Sequence, residues 1–301
     1  MNFCSKLGLG TVQWGMRYGI ANRFGRSEAG EVAQMLRLAR KSGITLLDTA
    51  HVYGDAESVI GQSGEGLHGW RIVTKTLPGQ RAEFGDRDAT ALTDAFHRSL
   101  ERLNCSRVFG LLVHDTVSLL SHDGDRLWDV LQDLKSQALV SKIGVSVYDP
   151  DELDRVLDSY PIDLVQLPLN LYDQRFLHTG LLDRLKFLGI EVHSRSAFLQ
   201  GLLLMPPDHL PEQFSTVRGH HLRLHRECNM AGITPVQASL HFCLDQSIVD
   251  QVIVGCETRS QLDEILGAIG GDGRRLQDPE LFALDDEAVI NPRRWTRSAA
   301  S

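Results

Sequence analysis

Short apolar runs alternate with longer segments of helical periodicity along almost the whole chain. Runs such as LVQL and VIV are nearly continuous in apolar residues, which is typical of parallel strands covered on both faces. The segment EAGEVAQMLRLARKSG instead repeats its apolar residues at spacings of three and four and ends at Gly43, a natural helix cap. Eight strands are predicted, at 7–11, 45–48, 71–75, 109–114, 142–147, 164–168, 191–194 and 251–255.

Eight alternating units indicate an α/β fold, and a closed (β/α)8 TIM barrel fits them better than two doubly wound domains. No linker rich in Pro, Gly or Ser divides the 301 residues, and barrels of this length commonly form one domain. We therefore predict a single domain over 1–301. Residues 212–231 predict an extra helix after the seventh strand, before the helix that Pro235 opens. The C-terminal segment predicts a short helix and a polar tail.

The composition and charge of the chain limit the kinds of partner that it is expected to bind. A formal net charge of -8 argues against a nucleic-acid partner, and no run approaches the roughly 20 apolar residues of a membrane-spanning helix. We expect a cytoplasmic protein, and the sequence leaves its oligomeric state open. The five cysteines are scattered and form no CxxC pair, so we predict neither a disulfide framework nor a zinc site.

Four polar residues follow or end predicted strands: Asp48 and Tyr53 in LLDTAHVYG, Lys75 in IVTKT and His114 in LLVHD. Each alone has an ordinary structural interpretation, such as a cap, a packed aromatic or a buried histidine. The carboxyl ends of barrel strands meet at one rim, however, where barrel enzymes carry their chemistry. A carboxylate, a phenol, an ammonium and an imidazole at one rim indicate an active site.

These four groups suit the reduction of a carbonyl. A phenol has a pKa of about 10, and a nearby ammonium such as that of Lys75 is expected to lower it. Burial discharges a lysine, so the carboxylate of Asp48 is expected to keep Lys75 charged. His114 can donate a hydrogen bond to the substrate oxygen. A metal site is not predicted, because His51, His114 and Asp115 lack the usual ligand spacing.

The chain resembles the aldo-keto reductase family over nearly its whole length, in GLGTVQWG, LLDTAHVYG, IVTKT, SLERLNCSRVFGLLVHD and KIGVSV. The resemblance implies that Tyr53 is the general acid, that Lys75 and Asp48 tune it, and that His114 orients the substrate. Trp14, Tyr53 and His114 are the candidate substrate contacts. The resemblance also implies a nicotinamide cofactor, usually NADP(H), with NAD(H) as the alternative.

The same resemblance identifies cofactor contacts. Ser146 and Gln166 match residues that hold the nicotinamide carboxamide, whereas Val147 stands where asparagine is usual. Arg195 stands where an aromatic residue commonly stacks on the nicotinamide. Its guanidinium either stacks there and disfavours the cationic ring, or pairs with a carboxylate. The full predicted cofactor set is Gly10, Thr11, Ser146, Gln166, Arg195, Ser196, Phe198, Gln200, Gly201, Gly255, Cys256, Thr258, Arg259 and Gln261.

The segment VIVGCETRSQLDEIL resembles the family's eighth strand and the helix start that holds the adenosine phosphate. A helix start attracts phosphate through its backbone N–H groups. Gln261 sits where an arginine often contacts the 2'-phosphate, and Arg259 lies close enough to replace it. The expected preference for NADP(H) therefore rests on the resemblance.

The sequence indicates the identity of the substrate less clearly than it indicates the catalytic and cofactor residues. Arg17, Tyr18 and residues 116–125 and 291–297 lie in candidate contact loops. Inward-pointing arginines would favour a polar or anionic carbonyl, such as an oxo acid or oxidised sugar, over an aromatic aldehyde. In HHLRLHRECNM, His221 and His225 share a helix face, and a solvated helix is favoured over a metal site.

Three functions stay open. The favoured one is an NAD(P)H-dependent oxidoreductase that reduces an aldehyde, ketone or oxidised sugar to an alcohol, with Tyr53 as proton donor. The others are a nucleotide-sensing or scaffold protein with little turnover, and an isomerase or epimerase that uses the cofactor transiently.

Overall fold

Eight parallel strands close into a barrel in the order of the sequence. The computed structural model describes residues 3–78, 84–270 and 273–295. Each strand pairs with the next, and β8 returns to pair with β1 through Leu7 and Val252. This arrangement confirms the predicted (β/α)8 barrel. The strands are β1 (Leu7–Gly10), β2 (Leu46–Asp48), β3 (Arg71–Lys75), β4 (Val108–Val113), β5 (Val140–Ser146), β6 (Leu164–Pro168), β7 (Glu191–Arg195) and β8 (Gln251–Gly255).

Helices connect the strands and cover the outside of the barrel, because their apolar faces pack on the buried strands. Within the described residues they are α1 (Val12–Gly15), α2 (Ala29–Lys41), α3 (Ala56–Gly61), α4 (Asp86–Leu103), α5 (Gly124–Ser136), α6 (Pro150–Ser159), α7 (Leu181–Phe187), α8 (Arg218–Ala231), α9 (Pro235–Leu244), α10 (Arg259–Ile269) and α11 (Glu287–Ile290). None of the helices in these ranges is long and apolar enough to cross a bilayer.

The barrel interior is a separate apolar layer, made by Leu46, Val73, Leu112, Leu164 and Ile253. These side chains come from five different strands and fill the space inside the closed sheet, so the interior is a packed core rather than a pore. The layer lies below the rim, and the polar residues at the strand ends therefore sit above an apolar floor.

The predicted extra helix after the seventh strand is confirmed as α8, which precedes α9. Pro235 occupies the first turn of α9, and the Thr234 side chain accepts a hydrogen bond from the backbone of Gln237 in a capping box. A solvated helix rather than a metal site was expected at α8, but its His221 is fully buried. Its Nδ1 lies 2.8 Å from the Tyr172 hydroxyl and its Nε2 lies 2.8 Å from the Met205 carbonyl.

Charged residues seal the opposite, N-terminal end of the barrel. Glu191, at the start of β7, receives hydrogen bonds from Arg71 (3.2 Å), Lys142 (2.6 Å) and the His193 ring (2.9 Å). Burial opposes ionisation of Glu191, but its hydrogen bonds from His193 and Lys142 prevail and lower its pKa to about 2. The N-terminal end is thus closed by a carboxylate that is engaged on both oxygens.

Candidate active site

A cavity of about 560 Å³ opens at the C-terminal rim of the barrel. It runs from the strand ends at the barrel centre, where Tyr53 and His114 line it, to the first turns of α10 at Gln261. Its volume lies within the roughly 300–1,000 Å³ that is usual for small-molecule and cofactor sites. The location is the one at which barrel enzymes bind their ligands.

Asp48 and Lys75 form a buried ion pair beneath this cavity. Lys75 Nζ donates to both Asp48 carboxylate oxygens, at 2.8 and 2.9 Å, and to the Thr49 carbonyl at 2.9 Å. Gln166 Nε2 donates a further bond of 2.7 Å to Asp48. Burial lowers the pKa of Lys75, and the neighbouring Asp48 opposes that shift, as the sequence argument required. The pair is brought together because β2 and β3 are adjacent strands.

The loop after β2 holds Tyr53 close to α1 through two glycines. A Cβ on Gly15 would lie 1.7 Å from the Tyr53 carbonyl, so only glycine allows α1 and this loop to approach so closely. Gly54 has a left-handed φ of 56°, which glycine adopts without strain. The Tyr53 backbone N–H donates to Ala50 at 3.0 Å. These contacts direct the phenol into the cavity.

Tyr53 lies near the ammonium, but its acidity is not what the sequence argument expected. Lys75 Nζ is 5.0 Å from the centroid of the Tyr53 ring. The pKa of Tyr53 is nevertheless raised, first by burial and then by the Asp48 carboxylate. The expected lowering of the Tyr53 pKa fails because burial and the Asp48 carboxylate together outweigh the Lys75 ammonium, which Asp48 holds at hydrogen-bonding distance. Tyr53 is therefore a protonated phenol at neutral pH.

His114 faces Tyr53 across the cavity. The two rings meet edge to face, with centroids 6.0 Å apart. Burial, followed by the positive charges of Lys75 and Arg195, lowers the pKa of His114 to about 3. His114 is thus neutral at pH 7. Its Nδ1 is buried and has no hydrogen-bond partner among the described residues.

Ser146 and Gln166 lie side by side on neighbouring strands and line the cavity as predicted. The Ser146 hydroxyl donates to Gln166 Oε1 at 3.4 Å, and Gln166 Nε2 is already bonded to Asp48. Gln166 thereby links the ion pair to the predicted carboxamide contacts. Val147, which replaces the usual asparagine, is fully buried and points away from the cavity lining.

The loop after β7 follows the cavity in an unusual backbone conformation. Ser196, Leu199 and Gln200 all have positive φ, at 66°, 47° and 54°. Gln200 Nε2 donates to the Tyr18 hydroxyl at 3.1 Å, which joins this loop to the loop after β1. Non-glycine residues in this region carry strain, and such strain concentrates at ligand sites. Of the predicted contacts in this loop, Ser196, Phe198, Gln200 and Gly201 all line the cavity.

Arg195 lines the cavity without a carboxylate partner among the described residues. Its guanidinium donates to the Val147 carbonyl at 2.9 Å and to the Ser196 hydroxyl at 3.3 Å. It also lies 4.1 Å from the Tyr148 ring centroid, while Arg293 lies 3.5 Å from the same centroid. Arg195, opposed by burial and aided by Arg293, lowers the pKa of Tyr148. The alternative in which Arg195 pairs with a carboxylate therefore has no partner in the described part of the chain.

At the α10 end of the cavity, only some of the predicted cofactor contacts line it. Gly255 and Gln261 line the cavity, but Cys256, Thr258 and Arg259 do not. Cys256 is buried in the core, and its carbonyl accepts a hydrogen bond from Trp14. Thr258 caps α10 by accepting a bond from the backbone of Gln261. Gly10 and Thr11, at the end of β1, line the cavity as expected.

The expectation that Trp14 contacts substrate is wrong in this structure. Its side chain is fully buried, and Nε1 donates to Cys256 at 3.3 Å. The indole packs α1 against the strand ends. Arg17 is exposed outside the cavity lining, and Arg297 lies outside the described residues.

Tyr148 and Glu257 were missed by sequence reasoning, although both line the cavity. Each lies two residues after the end of a strand, Tyr148 after β5 and Glu257 after β8. The same rule that found Asp48 and His114 would have found them. Tyr148 and Glu257 were not selected as site residues because no motif in the sequence assigned them a role.

Comparison with known proteins identifies the family. The profile described as "Aldo/keto reductase family" matches residues 6–275. The chain belongs to this family. As an aldo/keto reductase it is an oxidoreductase that reduces a carbonyl of a small molecule to an alcohol by hydride transfer from NAD(P)H.

Relatives and solved structures of aldo/keto reductases are similar over most of the chain. L-galactose dehydrogenase of Arabidopsis thaliana is 26% identical over 279 residues, which cover 89% of this chain and 87% of that protein. NADH-specific methylglyoxal reductase of Escherichia coli is 26% identical over 182 residues, 55% of this chain and 56% of its own. The holo form of aldo-keto reductase AKR11C1 from Bacillus halodurans shares the fold with a TM-score of 0.72 at 19% identity, covering 88% and 87% of the two chains.

Proposed function

We propose that Tyr53 is the proton donor of this carbonyl reductase and that Asp48, Lys75 and His114 support it. The observation that carries the proposal is the meeting of the Tyr53 phenol, the neutral His114 imidazole and the Asp48–Lys75 pair at the inner end of one cavity. Three successive strand-helix units supply these groups, since Asp48 and Tyr53 both belong to the unit of β2. A structural role for each would not require that they converge on one open space.

The residues of the cavity fit a nicotinamide cofactor. His114 Nδ1 and Gln13 Oε1 are buried polar atoms of the cavity lining without partners in the described part of the chain, and such atoms call for a ligand. Ser146 and Gln166 would hold the carboxamide, and the loop at Ser196 to Gly201 would follow the diphosphate. The bound cofactor would supply the hydride. The resemblance favours NADP(H), and that preference stays a prediction.

In the proposed chemistry the raised pKa of Tyr53 keeps its proton in place until the substrate oxygen gains negative charge. Tyr53 then donates that proton, and the ammonium of Lys75, 5.0 Å from the ring centroid, stabilises the phenolate that forms. His114 donates a hydrogen bond from its neutral ring and fixes the direction of the carbonyl.

We infer that the substrate is a polar or anionic carbonyl, such as an oxo acid or oxidised sugar. Arg195 lines the inner cavity without a carboxylate partner in the described residues, and Arg293 stacks on Tyr148 beside it. A partly buried cation without an anion is costly, and an anionic substrate group would satisfy it. Preference for an apolar aldehyde over an oxo acid of similar size would contradict this inference.

The test is to titrate the protein with NADH and NADPH and then to screen carbonyls with the nucleotide that binds. Stoichiometric consumption of reduced nucleotide supports the proposal. Conversion of substrate without net consumption would indicate an isomerase or epimerase instead, and tight nucleotide binding without conversion would indicate a sensor. The cytoplasmic location, the single-domain organisation and the absence of a nucleic-acid partner stay predictions from the sequence.

A further inference from the structure

The two ends of the active-site cavity differ in charge. Arg195 is the one lysine or arginine among the described residues that line the cavity, and it lies at the inner end. At the α10 end, the charged lining residues are Glu257 and Glu264. An extended dinucleotide with its nicotinamide at Tyr53 would place its adenosine half against these two carboxylates.

Neither Glu257 nor Glu264 is paired with a cation within the described residues. No lysine or arginine forms an ion pair with Glu257 or Glu264 there, whereas many other surface carboxylates of the chain are paired. Glu257 is only 8% exposed, so water screens it weakly. Its backbone is fixed on both sides, because its N–H donates to Gln261 Oε1 at 2.7 Å and its carbonyl accepts from Ser27 at 2.7 Å.

The side chains that could supply a compensating cation are engaged elsewhere or absent. Gln261, at the position where an arginine was expected, uses its amide oxygen to cap the backbone of Glu257. Arg259, the expected substitute, lies outside the cavity lining and pairs with Asp263 at 3.6 Å. Its backbone N–H donates to Glu31. Arg259 therefore does not face the nucleotide.

We propose that this end of the cavity selects NAD(H) over NADP(H), in contrast to the preference that the family resemblance suggests. A 2'-phosphate carries between one and two negative charges, and here it would meet two carboxylates and no cation. The free 2'-hydroxyl of NAD(H) can instead donate a hydrogen bond to a carboxylate, as it does in other dinucleotide sites. This inference rests on the proposed function, since it assumes that the cavity binds a nicotinamide dinucleotide.

Binding measurements on the intact protein test the preference without reference to turnover. Quenching of protein fluorescence or isothermal titration gives dissociation constants for NADH and NADPH. We expect NADH to bind at least about tenfold more tightly at low salt. Equal affinities, or tighter binding of NADPH, would overturn the inference while leaving the proposed function intact. Failure of both nucleotides to bind would overturn the proposed function itself.

A pair of isosteric substitutions assigns the preference to the carboxylates. In Glu257→Gln/Glu264→Gln, NADPH should bind about tenfold more tightly than it binds the unmodified protein, with NADH changed less than about threefold. Asp94→Asn/Glu280→Gln is the matched control, because it removes two exposed negative charges outside the cavity lining. An equal change for both nucleotides, or the same shift in the control, would contradict the assignment.

Ionic strength provides a second readout that needs no variant. Repulsion between a 2'-phosphate and carboxylates weakens as salt shortens the screening length, from about 10 Å at 0.1 M to about 3 Å at 1 M. The ratio of the NADPH and NADH dissociation constants should therefore fall toward one as salt rises. A ratio that does not change with salt would mean that shape rather than charge sets the preference, and would overturn the electrostatic inference.

Discussion

Hydrogen-bonded carboxylates lie at both ends of the barrel, Glu191 at the N-terminal end and Asp48 at the C-terminal rim, but they are used differently. At the N-terminal end, Glu191 accepts hydrogen bonds from Arg71, Lys142 and His193. At the C-terminal rim, Asp48 is equally well engaged, by two bonds from Lys75 and one from Gln166. The ionic groups themselves are therefore not what distinguishes the catalytic end.

The difference lies in the neighbours of each group. Beside Asp48, His114 Nδ1 is buried without a partner in the described residues, and the Tyr53 and His114 ring centroids lie 6.0 Å apart. Both face the open cavity. Beside Glu191 there is no comparable opening toward a cavity of that size among the described residues. An ion pair beside an open cavity marks the site, whereas an ion pair away from that cavity stabilises the fold.

The largest effect should come from Tyr53→Phe, which removes the acid at the rim and leaves the ion pair intact. We expect the rate of carbonyl reduction to fall about 10²–10⁴-fold, because the substrate oxygen loses its proton donor. Nucleotide affinity should stay within about threefold, as measured by titration. The matched control is Tyr160→Phe, since the Tyr160 hydroxyl bonds Leu119 and Asp125 outside the cavity. Retention of full activity in Tyr53→Phe would contradict its assigned role.

Breaking the rim pair with Lys75→Met should reduce both activity and stability. The change leaves Asp48 buried without its cation, which costs about 3–5 kcal/mol of unfolding free energy. The double variant Lys75→Met/Asp48→Asn should recover most of that stability, because no buried charge remains, yet stay inactive. Denaturant unfolding and steady-state kinetics on the same samples check both halves. Recovery of activity in the double variant would show that the pair has only a structural role.

The matching change at the opposite end is Glu191→Gln. It should lower the free energy of unfolding by about 2 kcal/mol, because three charge-assisted hydrogen bonds are weakened. The kcat per folded molecule should remain within about twofold, since the site lies at the other end of the barrel. A large loss of kcat at full folding would remove the distinction between the two ends.

The smallest effect concerns the dependence of stability on pH. The folded protein holds the pKa of His114 at about 3, below its ordinary 6.5. Between these values the unfolded chain binds more protons, so this contribution is fully present above pH 6.5 and is lost as pH falls toward 3. His114→Gln should therefore flatten the fall of the melting temperature between pH 6.5 and 4. His209→Gln, at an exposed site, should leave that slope unchanged.

Much of the site could be predicted because it follows from strand order. Asp48, Lys75 and His114 lie at or just after strand ends, and parallel strands in a closed barrel bring their carboxyl ends together. Tertiary packing determined the side-chain directions, which this rule does not predict. Trp14 turned into the core to bond Cys256, and Arg259 turned outward to Asp263, although both stand at positions consistent with ligand contact. Local spacing does not set the direction in which a loop side chain points.

The sequence by itself determined the barrel, its eight strands and the four polar residues of the rim, because periodicity and strand direction are encoded locally. The tertiary structure decided the charge state of those residues and the character of the two ends of the cavity. The pKa of Tyr53 is raised rather than lowered, first because the phenol is buried and then because the Asp48 carboxylate lies nearby. Electrostatic effects depend on distance and burial, and these exist only once distant segments have packed together.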